Sequence, residues 1–256
     1  MSVSQWELVE KAITFGDRVL LYGPPGTGKT TAAMKVGSPA SVFKTTVHPD
    51  STVAEFEGFY RPEGERFVWQ DGRAIRAWRD GARLIVDEID KAEGDVLTFF
   101  YAVLDDPDVA RLTIGSGETV RPAAGFKVVA TMNGHPEDLP DALLDRFDAV
   151  ILVSEVNPAV YDAAPNDLVP LMQDENLQQA LGVGLSARPW KAFDKYRKRV
   201  GTDVALQIVF GKRGVELGKV LSVAQAGYNR HESVEDEGYK AADDVVVPDE
   251  PVESVY

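Results

Sequence analysis

Gly23-Pro24-Pro25-Gly26-Thr27-Gly28-Lys29-Thr30 is the stretch on which the reading of this chain turns. Before it runs Arg18-Val19-Leu20-Leu21-Tyr22, a short apolar segment suited to a buried strand. After it, Thr30 to Val36 reads as a helix, which Gly37-Ser38-Pro39 stops. A glycine, four residues and then Gly-Lys-Thr, set between a strand and a helix, form the phosphate-loop (P-loop) pattern in the context it requires. Glycines let backbone N–H groups come close to phosphate oxygens. The helix opening at Lys29 adds the positive end of its dipole. Lys29 is therefore expected to reach the β- and γ-phosphates of a nucleotide, and the Thr30 hydroxyl to ligate Mg²⁺. Gly23, Pro24, Pro25, Gly26, Thr27, Gly28, Lys29, Thr30 and Thr31 form the expected nucleotide-binding set. The competing reading, an ordinary strand–turn–helix, would need the whole pattern to arise by chance.

A phosphate loop needs a second element to hold the metal and position water. Leu84-Ile85-Val86-Asp87-Glu88 supplies it. The apolar residues are expected to bury a strand beside the phosphate-loop strand. Asp87 then emerges at the strand's carboxyl end, where open α/β sheets bind ligands. Asp87 is assigned to Mg²⁺ in the outer shell, and Glu88 to the base that orients and polarises the attacking water. The plainer alternative is a solvated strand end shared with Asp90.

Outward from these two motifs, strands and helices alternate. Ser4-Gln5-Trp6-Glu7 reads as a capping box that opens a helix over residues 5–15, with Trp6, Val9 and Ile13 on one face. Ser41 to Val47 is a β-branched strand. Residues 59–69 read as a hairpin turning at Pro62-Glu63-Gly64-Glu65. A short helix follows over 72–81, a helix over 95–104, and a second hairpin around Gly115-Ser116-Gly117. Strands are expected at 126–131 and 149–153, with a short helix at 139–146 between them. Beyond Asn157-Pro158 the pattern is helical only: 161–179, as one broken helix or two, then 189–200, 204–210 and 215–228. The fold class is thus α/β, a parallel P-loop NTPase sheet flanked by helices, followed by a small C-terminal helical lid subdomain. The expected divisions are 1–156, 157–230, and an acidic, disordered tail over 231–256 that carries Glu235-Asp236-Glu237, Asp243-Asp244 and Asp249-Glu250.

Composition narrows the function classes. The 256 residues are 44% hydrophobic, enough for a sizeable core, and no long apolar run predicts a membrane span. Cysteine is absent and the three histidines stand far apart, which excludes disulfides, thiolate metal sites and a histidine metal site. A formal net charge of −14 disfavours direct binding to the nucleic-acid backbone. The N-terminus lacks the features of a signal peptide, and a cytoplasmic location is expected.

Taken together, the motifs resemble the AAA+ ATPase family over about the first 230 residues. Gly23 to Thr30 has the form of its Walker A motif, and Asp87-Glu88 looks like Walker B. Thr131-Met132-Asn133 looks like sensor 1, Leu143-Leu144-Asp145-Arg146-Phe147 like the segment bearing the arginine finger, and Ser186-Ala187-Arg188 like sensor 2. The hairpin at 59–69, the run from Phe126 to Phe147 and the Ser-x-Arg form resemble the MoxR-like branch and its dynein-related (AAA_5) relatives. The resemblance implies an ATPase that uses ATP and Mg²⁺ and assembles as a homo-oligomeric, hexameric ring. In it Asn133 would hold the attacking water or the γ-phosphate, Arg146 would complete a neighbour's site, and Arg188 would couple the lid to the nucleotide. It further implies a chaperone-like role that remodels or activates a partner protein, one with a von Willebrand A domain in much of that branch.

Each of these residues has a plainer reading. Arg146 would be a helix-surface arginine paired with Asp145 or Asp148, and Asn133 would cap the following segment. Phe59, Tyr60 and Trp69 read first as cross-strand hairpin pairs and only second as a surface for substrate. Two other functions stay open at this level: an AAA+ nucleic-acid motor or loader subunit, and a nucleotide-dependent scaffold that turns over slowly. Against the scaffold stands the presence of Glu88.

Overall fold

A computed structural model of the chain describes residues 3–162, 164–216 and 218. The expected helix over 215–228 lies largely outside them, and the acidic segment 231–256 entirely so. Among the described residues nine strands run in chain order: β1 (Arg18–Tyr22), β2 (Val42–Thr46), β3 (Gly58–Glu63), β4 (Arg66–Asp71), β5 (Arg83–Asp87), β6 (Leu112–Thr113), β7 (Thr119–Val120), β8 (Lys127–Met132) and β9 (Ala149–Leu152). Five of them form one sheet in the order β2-β5-β8-β1-β9, with every pairing parallel.

This order corrects one expectation. β5, which ends in Asp87, does not lie beside the phosphate-loop strand β1; β8 stands between them, paired to both. Periodicity is silent on this point. β1, β5 and β8 are apolar on both faces, as strands covered on two sides must be, so any of them could neighbour any other. The intervening position has a consequence for the site, because the residue after β8 then emerges between the other two motifs.

Helices cover both faces of the sheet. On one, the helix Gln5–Phe15 buries Trp6, Val9 and Ile13 against Val19, Leu21, Ile85 and Val129, with Ala32 and Ala33 of the helix Lys29–Lys35. The Ser4 hydroxyl caps the first helix by accepting the Glu7 N–H (3.2 Å). On the other face, Trp78 of the helix Arg73–Asp80 and Phe99 and Phe100 of the helix Gly94–Val103 pack over Leu20, Leu84, Val86 and Ala130. Phe99 completes an aromatic trio with Phe56 and Phe100.

Both hairpins form. β3 and β4 pair antiparallel, and Tyr60 meets Trp69 across the strands in a T-shaped contact at 5.2 Å. β6 and β7 are short and turn through 115–117. The helical stretch expected over 161–179 is broken into Pro158–Asp162, Val169–Gln173 and Glu175–Leu181.

Packing divides the chain after Arg188, where the sequence reading placed the boundary at 156/157. The segment beyond 156 is tied back to the sheet domain. The Asn157 N–H donates to the Thr27 carbonyl (2.9 Å), and the Trp6 indole donates to the Glu155 carbonyl (3.2 Å). Helices over 158–181 therefore belong to the first unit. In the second unit, the helices Arg188–Val200 and Thr202–Phe210 gather Trp190, Phe193 and Phe210 into an aromatic cluster with centroids 5.3–6.3 Å apart.

Candidate nucleotide site

The loop between β1 and the helix Lys29–Lys35 takes its shape from glycine. Gly23, Gly26 and Gly28 have φ of 131°, 87° and 102°, in the region that side chains avoid. At Gly26 space is denied as well, since a Cβ there would stand 2.5 Å from the Ser186 Cα. Thr27 is fully buried and its hydroxyl donates to the Pro24 carbonyl (3.3 Å), bracing the loop from within. Pro24, Pro25 and Thr31 are exposed.

Lys29 is only 6% exposed. Its ammonium donates to the carbonyls of Gly23 and Pro24, both at 2.7 Å, and to Asn133 Oδ1 at 3.2 Å. Those contacts engage all three of its protons. Burial lowers its pKa from 10.5 to about 8, against the opposing pull of the Asp87 charge.

Asp87 stands at the end of β5. Its Oδ1 accepts the Thr30 hydroxyl (2.9 Å) and the Thr131 hydroxyl, and its Oδ2 meets Lys44 Nζ at 2.9 Å. Burial works to raise its pKa, but the hydrogen bonds from Thr131, Lys44 and Thr30 outweigh it and hold the carboxyl below its ordinary value. An ionised carboxylate against a threonine hydroxyl is a pair of hard oxygen donors. This donor set fits Mg²⁺, which takes one or two protein oxygens and completes its octahedron with phosphate and water. Among the described residues there is no group of three or more His, Cys, Asp or Glu that could hold a metal by itself.

Glu88 follows Asp87 with φ 59° and ψ 45°, a left-handed conformation uncommon outside glycine and often found at functional turns. It lines a pocket together with Asp90, Lys91, Asn133, Gly134 and Asp138. Asn133 follows the last residue of β8 and faces both this pocket and Lys29.

Lys29 is thus hydrogen-bonded to Asn133, and its chain neighbour Thr30 to Asp87, which Glu88 follows. Arg146 is elsewhere. Its guanidinium lies 5.0 Å over the Tyr101 ring, 3.8 Å from Asp105 Oδ1 and against the Ala142 carbonyl. None of those partners belongs to the phosphate loop. The pairing with Asp148 considered above does not form: Asp148 instead binds the Arg18 guanidinium (2.7 Å) and accepts the N–H groups of Asp17 and Arg18 at 3.0 and 2.8 Å. Arg188 is exposed and begins its helix, with its backbone N–H donating to Ser186 Oγ (3.3 Å). Ser186 is itself the residue that backs Gly26.

Sequence reasoning missed three participants. In the sequence, Thr131 and Ser186 stand out only as parts of the sensor 1 and sensor 2 resemblances, with no role of their own, and Lys44 only as an ordinary strand residue. Thr131 carries a signal in hindsight: a hydroxyl among apolar strand residues, two positions before Asn133. Lys44 has none, since only strand order brings β2 beside β5.

The model of the AAA domain family, dynein-related subfamily, matches residues 18–147, about half of the chain. Protein NorQ of Paracoccus denitrificans is 35% identical over 119 residues, which are 45% of this chain and 43% of NorQ. An uncharacterized protein of Staphylococcus haemolyticus is 31% identical over 174 residues, 64% of this chain and 65% of that protein. Midasin of Giardia intestinalis is 30% identical over 131 residues, 49% of this chain but only 3% of its own. In each case the match spans less than two thirds of the relative's length. A match that starts at the phosphate-loop strand and ends just past Arg146 takes in the loop, Asp87-Glu88 and Asn133, and on it the chain belongs to the AAA domain family, in its dynein-related subfamily.

Proposed function

We propose that this chain hydrolyses ATP to ADP and phosphate, works as a homo-oligomeric ring, and uses the cycle to remodel or activate a partner protein. The observation that carries the reading is the two hydrogen-bonded pairs at the head of one helix, Lys29 with Asn133 and Thr30 with Asp87. Adjacent residues Lys29 and Thr30 thereby carry a phosphate-binding cation paired with a water-positioning amide, and beside it a metal-binding oxygen pair.

This geometry supports the following roles. Lys29 and the N–H groups of the glycine loop bind the β- and γ-phosphates. Thr30 and Asp87 would hold Mg²⁺, which would supply neutralisation of phosphate charge there. Glu88 orients water from the pocket it shares with Asn133 and accepts its proton as the water attacks the γ-phosphorus. The leaving oxygen departs on ADP. Arg146, engaged with Tyr101 and Asp105 rather than with its own loop, serves the site of a neighbouring subunit and stabilises charge on the transferring group. Arg188 reports nucleotide state at the start of its helix. A hexamer is the proposed assembly. The proposed partner is a protein, such as one containing a von Willebrand A domain. The net charge of −14 supports a protein over nucleic acid as the target.

The test mixes two variants, Glu88→Gln and Arg146→Ala. Each is expected to be nearly inactive alone. On mixing, a Glu88→Gln subunit lends Arg146 to the intact Glu88 site of an Arg146→Ala neighbour, and activity returns. No recovery among subunits that demonstrably exchange would remove Arg146 from the shared-site role while leaving nucleotide binding in place.

A further inference from the structure

Lys44 is the one member of the Asp87 network that no motif predicts. It sits in the middle of β2, the edge strand of the sheet, one step from β5. Side chains alternate along a strand, so Val42, Lys44 and Thr46 share a face. Val42 packs in the cluster that contains Ala32 and Ala33, which puts this face on the side of the sheet covered by the helix that begins with Lys29 and Thr30. The lysine therefore approaches Asp87 from the same side as Thr30.

A lysine on an edge strand is often no more than a guard against strand-to-strand association. Lys44 departs from that pattern because its charge is directed. Its Nζ is 2.9 Å from Asp87 Oδ2, while Thr30 and Thr131 both use Oδ1. The three donors divide the carboxylate between them, and Lys44 alone occupies the second oxygen. Its side chain remains 39% exposed, so it has room to swing away. A carboxylate with one oxygen held by hydroxyls and the other by a movable cation is one whose metal-facing charge is already partly neutralised.

We propose that Lys44 is a built-in counter-cation that competes with Mg²⁺ for Asp87 and thereby sets the metal concentration at which the nucleotide complex forms. The proposal rests on the reading of the loop as a nucleotide site. It makes Lys44 a positioning residue acting through Asp87. With Lys44 in place, Mg²⁺ must displace or tolerate a neighbouring positive charge. Without it, the full charge of Asp87 is offered to the metal.

The test uses the full chain and a fluorescent ADP analogue, which cannot be hydrolysed further, titrated once in EDTA and once across a range of MgCl₂. Wild-type binding in EDTA reports the loop and Lys29 without the metal. Lys44→Met is expected to leave that affinity unchanged and to lower the half-saturating Mg²⁺ concentration by about fivefold, as suits a partly exposed ion pair. Lys44→Arg, which keeps the charge, is expected to stay at the wild-type midpoint. Lys44→Gln repeats the measurement should the methionine variant fail to fold. A midpoint that is unmoved or raised in folded Lys44→Met or Lys44→Gln protein overturns the proposal and leaves the nucleotide reading intact. Wild-type protein that binds the analogue neither in EDTA nor in Mg²⁺ overturns both.

Discussion

Raising the pH from 7 to 9 perturbs one group at the centre of the site. Burial has lowered the Lys29 pKa to about 8, so the free protein loses this ammonium inside that range. Only the charged form attracts phosphate. The apparent dissociation constant for ADP therefore scales as one plus the ratio of neutral to charged Lys29, and rises roughly tenfold from pH 7 to pH 9, about 1.4 kcal/mol. Terminal phosphate groups titrate near pH 6, so the ligand's own charge is nearly constant over the interval. Binding restores the proton, and at pH 9 it is expected to take up close to one. Stability moves the other way. The folded pKa lies below the ordinary 10.5, so between pH 8 and 10.5 the unfolded chain binds more protons than the folded one, and Lys29 makes folding more favourable as pH rises through that window. The assay is fluorescent-ADP binding in EDTA at constant ionic strength at pH 7, 8 and 9, beside a Lys29→Met control that should bind weakly and without this pH dependence. A wild-type affinity that is flat across the range would refute the reasoning, since Lys29 would then either hold its proton despite burial or make no contact with phosphate.

Three further outcomes are expected. Gly26→Ala forces a side chain into a left-handed φ and against the Ser186 backbone; overpacking and backbone strain together should cost about 2–4 kcal/mol in urea unfolding, with nucleotide affinity lost in parallel. Asp148→Asn weakens the Arg18 pair and the bonds from the Asp17 and Arg18 N–H groups, at about 1–2 kcal/mol at pH 7. Burial works to raise the Asp148 pKa, but its bonds with Arg18 prevail and depress it, so its contribution is present above an unfolded pKa near 3.8 and fades as pH falls through the lower folded value. The gap between wild type and Asp148→Asn should therefore shrink in unfolding curves taken at progressively lower pH. Phe67 is 72% exposed on β4, and Phe67→Ser is expected to shift the melting temperature hardly at all and to leave ATP turnover without a partner unchanged.

Much of this architecture is legible in the order of residues. Glycine spacing around Lys29 specifies a loop that only left-handed residues can make. The apolar runs at β1, β5 and β8 announce buried parallel strands, and the turn signals at Pro62-Glu63-Gly64-Glu65 and Gly115-Ser116-Gly117 announce two hairpins. These are local properties. Propensity, period and turn chemistry act over a few residues, and a single chain segment is enough to state them. A break within 161–179 is legible as well, but the three separate helices over 158–181 are not, because Pro165, Pro170 and the Asp174 cap divide a stretch whose apolar spacing alone suggests longer pieces.

Strand order is not a local property. β1, β5 and β8 read alike, and only the packed sheet decides that β8 lies between the other two and so delivers Asn133 to Lys29. The same holds for Lys44, which reaches Asp87 because β2 pairs with β5, and for Arg146, whose partner is Asp105 rather than its neighbour Asp148. The sequence by itself determined the phosphate loop, the acidic strand end and the α/β class. The tertiary structure alone decided which side chains share Asp87, because each of those contacts joins segments far apart in the chain, and no spacing rule carries information across that distance.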